Sequence, residues 1–164
     1  MASNKITGDL IVTGTLRPGG FVTPAASVGD TEAKSTDPFD VDKMLHQYNV
    51  AFAQNHGTAA TAQRQVLHVA EGAGTLVSFG AGIVVACVGD STITVNLYKN
   101  GSTILSAAVV IDNSNAVRAV EDATFSATPY SAGDVFEVVV TVSAGTGTLG
   151  QGAFAKLVVA EAAA

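Results

Sequence analysis

The chain has 164 residues, 48% of them hydrophobic and only 13% charged, which is room for one core of ordinary size and argues against intrinsic disorder. A formal charge of −6 excludes the electrostatic attraction that draws proteins to nucleic acid. The single cysteine, Cys87, excludes an internal disulfide and any multi-cysteine zinc site, and in Val84–Val88, with no nearby cation, it reads as a buried, inert thiol.

The opening Met1–Asp9 has no basic region followed by an apolar stretch, so secretion by a signal peptide is not expected. The longest purely apolar run, Ile83–Val88, is far shorter than a membrane-spanning helix, and no membrane partner is expected. In Ile6–Leu16 the even positions carry Ile6, Leu10, Val12 and Leu16, while threonine and aspartate dominate the odd ones, so the segment reads as an extended β-arm with one greasy edge. Burying those four side chains releases less free energy than fixing eleven residues of backbone costs, so the arm needs a ladder of hydrogen bonds from its own sheet or from another chain. Arg17-Pro18-Gly19-Gly20 ends the strand, and Ala25–Thr36 reads as a small-residue linker. Ile6, Leu10, Val12, Leu16, Arg17 and Phe21 are the expected partner-binding residues of the arm. The domain division is an arm and linker over residues 1–40 and a β-domain over 41–164.

Asp37–Gln54 carries two signals. Asp37, Pro38, Val41, Leu45, Tyr48, Phe52 and Gly57 fit a capped helix, yet residues 46–54 also alternate; the favoured reading is a helical turn at Pro38–Lys43, then a strand from about Leu45. Gln54–Gln63 is a loop. Strands are predicted at Arg64–Ala70, Thr75–Val88 with a break at Gly80 or Gly82, Thr92–Tyr98, Thr103–Ile111, Val117–Phe125, Asp134–Ser143 and Gln151–Ala160. Between the third and fourth of these, Asn100-Gly101 suits a type I′ turn. Within Asp134–Val142, Phe136, Val138, Val140 and Val142 fill one face and Val135 and Val139 much of the other, which predicts a central strand covered on both sides, the second cover being the opposite sheet's loops or a neighbouring subunit. Seven or more short strands without helical periods predict an all-β antiparallel sandwich, of jelly-roll or immunoglobulin-like type.

Candidate chemistry is weak. Gly145-Thr146-Gly147-Thr148-Leu149-Gly150 matches a dinucleotide fingerprint, but Ala153–Val159 alternates like a strand where a helix is needed, and the 14 residues after Gly150 fall short of the acidic residue expected about 20 positions on, so it reads as a turn. His46, His56 and His68 share no tight metal motif, and His68 is expected to point away from the face of Leu67 and Val69. Asp112–Asn115 starts like a calcium loop but has Val117 and Ala123 where glycine and glutamate belong. The acidic group Asp37, Asp40 and Asp42 fits helix capping, and Asn100-Gly101-Ser102 is a turn as well as a glycosylation pattern. No G-x-S-x-G elbow or isolated carboxylate pair is present, and no catalytic residue, cofactor or metal site is predicted.

Gly80–Gly101 and Gly133–Gly152, with the opening Ile6–Leu16, resemble the β-sandwich virion proteins of tailed bacteriophages, in particular capsid decoration (cement) proteins and the heads of short fibres. The resemblance implies a non-enzymatic structural protein on the capsid surface of a virion assembled in the host cytoplasm. It would be a homotrimer bridging neighbouring subunits of the major capsid protein, with no small-molecule substrate. The alternative is a receptor- or carbohydrate-binding fibre head, for which Tyr48, Tyr98 and Tyr130 are the aromatics available. A third reading, a metal-dependent enzyme, rests on the three histidines.

Overall fold

A computed structural model describes residues 45–162; the arm, the linker and the predicted turn at Pro38–Lys43 lie outside the described residues. Within them the chain is all-β, as its valine- and threonine-rich alternation requires. The ten strands are β1 (Leu45–Ala53), β2 (Gln63–Val69), β3 (Gly74–Gly82), β4 (Thr92–Lys99), β5 (Ser102–Thr103), β6 (Val109–Ile111), β7 (Glu121–Ala123), β8 (Pro129–Tyr130), β9 (Val135–Ser143) and β10 (Phe154–Ala162).

They form two antiparallel sheets packed face to face. One has the order β1-β10-β3-β7, with β8 also on β3; the other has β2-β9-β4-β5, with β6 also on β4. Apart from the link from β4 through β5 to β6 and the step from β7 to β8, every connection crosses from one sheet to the other. With β5 and β6 counted as one interrupted strand, and β7 and β8 as another, this is the eight-strand jelly roll rather than the immunoglobulin arrangement, whose first two strands pair in one sheet.

The core is made by the inward side chains of each strand, with β3 changing parity at a bulge between Leu76 and Ser78. Ile93, Val95 and Leu97 of β4 and Phe136, Val138 and Val140 of β9 meet Leu76, Phe79 and Ala81 of β3 and Ala155, Leu157 and Val159 of β10, all buried. The predicted turn is present, with Asn100 at φ 50° and Gly101 at φ 84°, the paired left-handed conformation a two-residue hairpin needs. Asn100 also ties the turn to β9, its side chain accepting from the Val135 amide at 2.8 Å and donating to Asp134 at 2.7 Å.

Some predicted strands are shorter than their alternation suggests. Thr103–Ile111 splits into β5 and β6 because the chain turns toward the opposite sheet: Ile104 still donates to the Leu97 carbonyl of β4 at 3.0 Å, but its own carbonyl accepts from the Ser126 amide at 2.9 Å and Leu105 bridges Phe125. Val117–Phe125 keeps only β7 as ladder, since Arg118 adopts φ 60° and interrupts it. The break in Thr75–Val88 falls after Gly82. β9 is central as predicted, between β2 and β4, and its outer residues Val135, Glu137 and Val139 are half-buried among the described residues, with no second sheet over them there. Instead Arg64 reaches over from β2, its guanidinium bonded to Glu137 and 5.3 Å from the centroid of the Tyr98 ring on β4. His68 corrects another expectation. A bulge at Leu67 shifts the register, so that His68 pairs with Phe136 and turns inward while Val69 is exposed.

Phe136 sits at full burial between the sheets, so Phe136→Ala should cost about 3–5 kcal/mol of unfolding free energy. Val66→Ala on the outer face should stay within about 0.5 kcal/mol. Urea denaturation followed by circular dichroism checks both values.

Candidate functional site

Strand direction gives the sandwich two different ends. The connections 54–62, 83–91, 112–120 and 144–153 gather at one end; β1 begins and β10 finishes at the other. At the loop end, residues 83–91 and 144–152 are joined as firmly as strands. Val85 and Gln151 exchange both backbone bonds at 3.0 Å, and Val88 and Thr148 do the same at 2.9 and 3.0 Å. Gly147 lies against the Val88 carbonyl so closely that a Cβ would strike it, which is why this junction takes a glycine. Ser91 is fully buried and its hydroxyl donates to the carbonyls of Thr148 at 2.6 Å and Val88 at 3.1 Å. Asp90 accepts from the amide of Thr146 at 2.7 Å and from its hydroxyl at 3.1 Å, and these bonds, the amide first, hold its carboxyl below the usual aspartate range.

The glycine-rich hexapeptide is therefore a brace, and β10 follows it where a nucleotide site would need a helix. This fixed pair of loops presents apolar side chains to solvent: Val88 is 60% exposed and Val85 45%, with Val117 at 42% from the neighbouring connection. Apolar groups held out on a backbone already ordered lose little further entropy on docking.

At the opposite end lies a buried carboxylate. Glu161 shares the inner parity of Leu157 and Val159 and is only 2% exposed. Its Oε1 accepts from the amides of Glu71 at 2.9 Å and Gly72 at 3.0 Å, while Oε2 meets His68 Nε2 at 2.9 Å and accepts from the Tyr130 hydroxyl at 3.1 Å. Desolvation works to raise the Glu161 pKa, but the bonds from His68, Gly72, Glu71 and Tyr130 outweigh it, and the carboxyl is held below the ordinary glutamate range. Desolvation and this same carboxylate push the Tyr130 hydroxyl well up. With both oxygens satisfied and closed off from solvent, the cluster ties β10 to β2 and β8 rather than offering a base to a substrate.

The histidines do not converge on a metal: His56 is in the loop end, His68 is engaged by Glu161, and among the described residues no three His, Cys, Asp or Glu side chains are grouped to hold an ion. Cys87 is buried beside the Ile111 carbonyl. Asp112–Asn115 is a self-bonded turn in which the Asp112 carboxylate accepts from the Ser114 amide and hydroxyl at 2.8 and 2.6 Å. Of the tyrosines considered for sugar stacking, Tyr130 is buried, Tyr98 lies under Arg64, and Tyr48 alone is exposed, at 45%. A shallow groove of about 360 Å³ runs between Ser106–Val110 and Glu121–Thr124 without a converging set of polar groups. The six predicted arm residues lie outside the described residues.

Sequence reasoning did not single out Glu161 or the exposed valines of the loop end. The available signal for Glu161 was parity, an acidic residue four positions beyond Leu157 and two beyond Val159 on the core side of the last strand. No family matches this chain, and no curated protein does. Among solved structures, a mutant VP2 protein of infectious bursal disease virus in derived T=1 particles is similar at 14% identity, over 74% of this chain and 37% of that one, with a TM-score of 0.31. The infectious bursal disease virus Gt strain structure is similar at 15% identity, over 75% and 39%, with a TM-score of 0.26. This chain thus spans less than two fifths of either, and at these scores the likeness carries no argument; the jelly-roll assignment rests on strand order.

Because the Glu161 carboxyl is held low in the folded chain, its contribution to stability is present above the unfolded glutamate pKa of about 4.3 and is lost as pH falls through the folded value. Glu161→Gln should therefore cost about 1–3 kcal/mol at neutral pH. That cost should fade in strong acid, where the native carboxyl is also protonated, and urea titrations across the acid range measure the convergence.

Proposed function

We propose that the protein is a non-enzymatic structural component of a virus particle that decorates a phage capsid, as a homotrimer, by bridging neighbouring subunits of the major capsid protein. The observation that supports this reading best is the loop end, where two backbone segments are locked together and hold Val85 and Val88 out in solvent. A cement protein binds by burying shared area over many shallow contacts, and a stiff apolar tip suits that task better than a concave pocket does. The low share of charged residues and the jelly-roll scaffold agree with it. The enclosed Glu161 cluster gives no support to an enzymatic alternative.

The test is co-sedimentation of the purified chain with shells assembled from the major capsid protein of the virus that encodes it. Val85→Asp with Val88→Asp should weaken binding at least tenfold, at about 1.4 kcal/mol per decade, and leave the melting temperature unchanged because both side chains are exposed. Absence of binding by the native chain, or indifference to both substitutions, would reject the proposal.

A further inference from the structure

The two flanks of the sandwich are unlike. On the flank of β5, β6 and β7 the sheets are stitched together, with Ser106 donating to the Thr124 carbonyl at 2.8 Å and Ser126 to the Ile104 carbonyl at 2.9 Å around the Leu105–Phe125 bridge. On the flank where β1 and β2 form the sheet edges, no backbone bond joins those two strands among the described residues. β1 pairs with β10 over all nine residues without a bulge. Its Gln54 extension donates to the Ala153 carbonyl at 2.8 Å, so the even-numbered residues bond inward to β10. Gln47, Asn49, Ala51 and Ala53 turn their N–H and C=O groups to the side on which no strand pairs among the described residues. From His46 to Ala53 the strand has no Lys, Arg, Asp, Glu or Pro, the residues that ordinarily blunt an exposed edge. On its inner parity Phe52 is buried but Val50 is only half-buried and Tyr48 is 45% exposed, so the core is unfinished at this edge.

We infer that the open edge of β1 receives the Ile6–Leu16 segment of a second copy of this chain as an added strand. Length and chemistry match. Eleven residues cover a nine-residue edge, and their greasy side, Ile6, Leu10, Val12 and Leu16, supplies what Tyr48 and Val50 lack once it faces the core. The roughly 28 residues between Leu16 and Leu45 span about 30 Å as a coil, enough to reach an adjacent copy. Returning to the chain's own edge would require a loop of that length inside one compact domain, which is uncommon. Exchange in one direction around a ring leaves every copy both giving and receiving an arm. This contact rests on the homotrimer part of the proposed function and not on its capsid-binding part: loss of shell binding leaves it standing, whereas a chain that does not self-associate removes it and the homotrimer together.

Analytical ultracentrifugation of the full chain at high micromolar concentration tests it. Ala51→Pro removes an N–H that points away from β10 and so spares the native ladder. Leu10→Asp with Val12→Asp spoils the arm without touching the sandwich. Each variant should self-associate at least tenfold more weakly than the native oligomer while its thermal melt stays cooperative, and an equimolar mixture of the two should form one-to-one heterodimers, the good arm of one copy on the good edge of the other. A native chain that sediments as a monomer, or an oligomer that survives either variant, would overturn the inference; the arm variant decides the matter even if Ala51→Pro fails to fold.

Discussion

The two-residue period of the pleat is the constraint on which this structure rests. β4, β9 and β1 each spend one parity on the core, β3 and β2 change parity at a bulge, and two strands from each sheet supply nearly all of the core: β4 and β9 facing β3 and β10. A slip of one residue in any of them would exchange Phe136 or Leu157 for a half-exposed neighbour and put a core side chain into water. Register is therefore fixed by burial in the centre of each sheet, and specified less strongly toward the edges, where one side of the strand has no neighbour. The features with functional meaning lie where that constraint relaxes, at the loop end and along the β1 edge.

How much of this was legible in the sequence follows the same line. β4, the Asn100-Gly101 turn and β9 could be read directly, because their alternation and turn chemistry are local. The strand from Leu45 is the favoured reading, because His46 to Gln54 keeps a period of two, but Val41, Leu45, Tyr48 and Phe52 also fit a helical stripe, and the pairing with β10 decides between them. What could not be read depends on partners distant in the chain. The bulge at Leu67 that turns His68 inward is set by its pairing with β9, nearly seventy residues on. The chain turns out of the predicted strand at Ile104 and Leu105 because the opposite sheet offers Leu105 a bridge to Phe125. Glu161 looked like a polar residue near the end of a strand, and only the meeting of β2, β8 and β10 makes it a buried anchor.

Polar groups in this molecule close the architecture. Glu161 absorbs four donors from three separate segments, and Asp90, Ser91 and Gln151 fasten one long loop to another. Each such group is saturated by its own chain and has little capacity left for chemistry on a small molecule. Apolar groups are left at the periphery instead, as Val85, Val88 and Val117 at one end and as the incompletely covered Tyr48 and Val50 at one flank. Polar atoms inside and satisfied, aliphatic carbon outside and rigidly placed, is the inverse of an active-site cleft and the ordinary condition of a surface that works by contact.

β1 begins and β10 finishes side by side at one end of the sandwich, as antiparallel neighbours. This placement gives the domain a mechanical direction. Tension that draws Leu45 away from Ala162 would open their ladder like a zipper, one rung after another, at low force. A load carried from the Val85–Val88 tip to the start of β1 would instead act along the strands and strain all nine rungs together. Held by its tip and its first strand, the domain is therefore stiff; held by its first and last strands, it is soft.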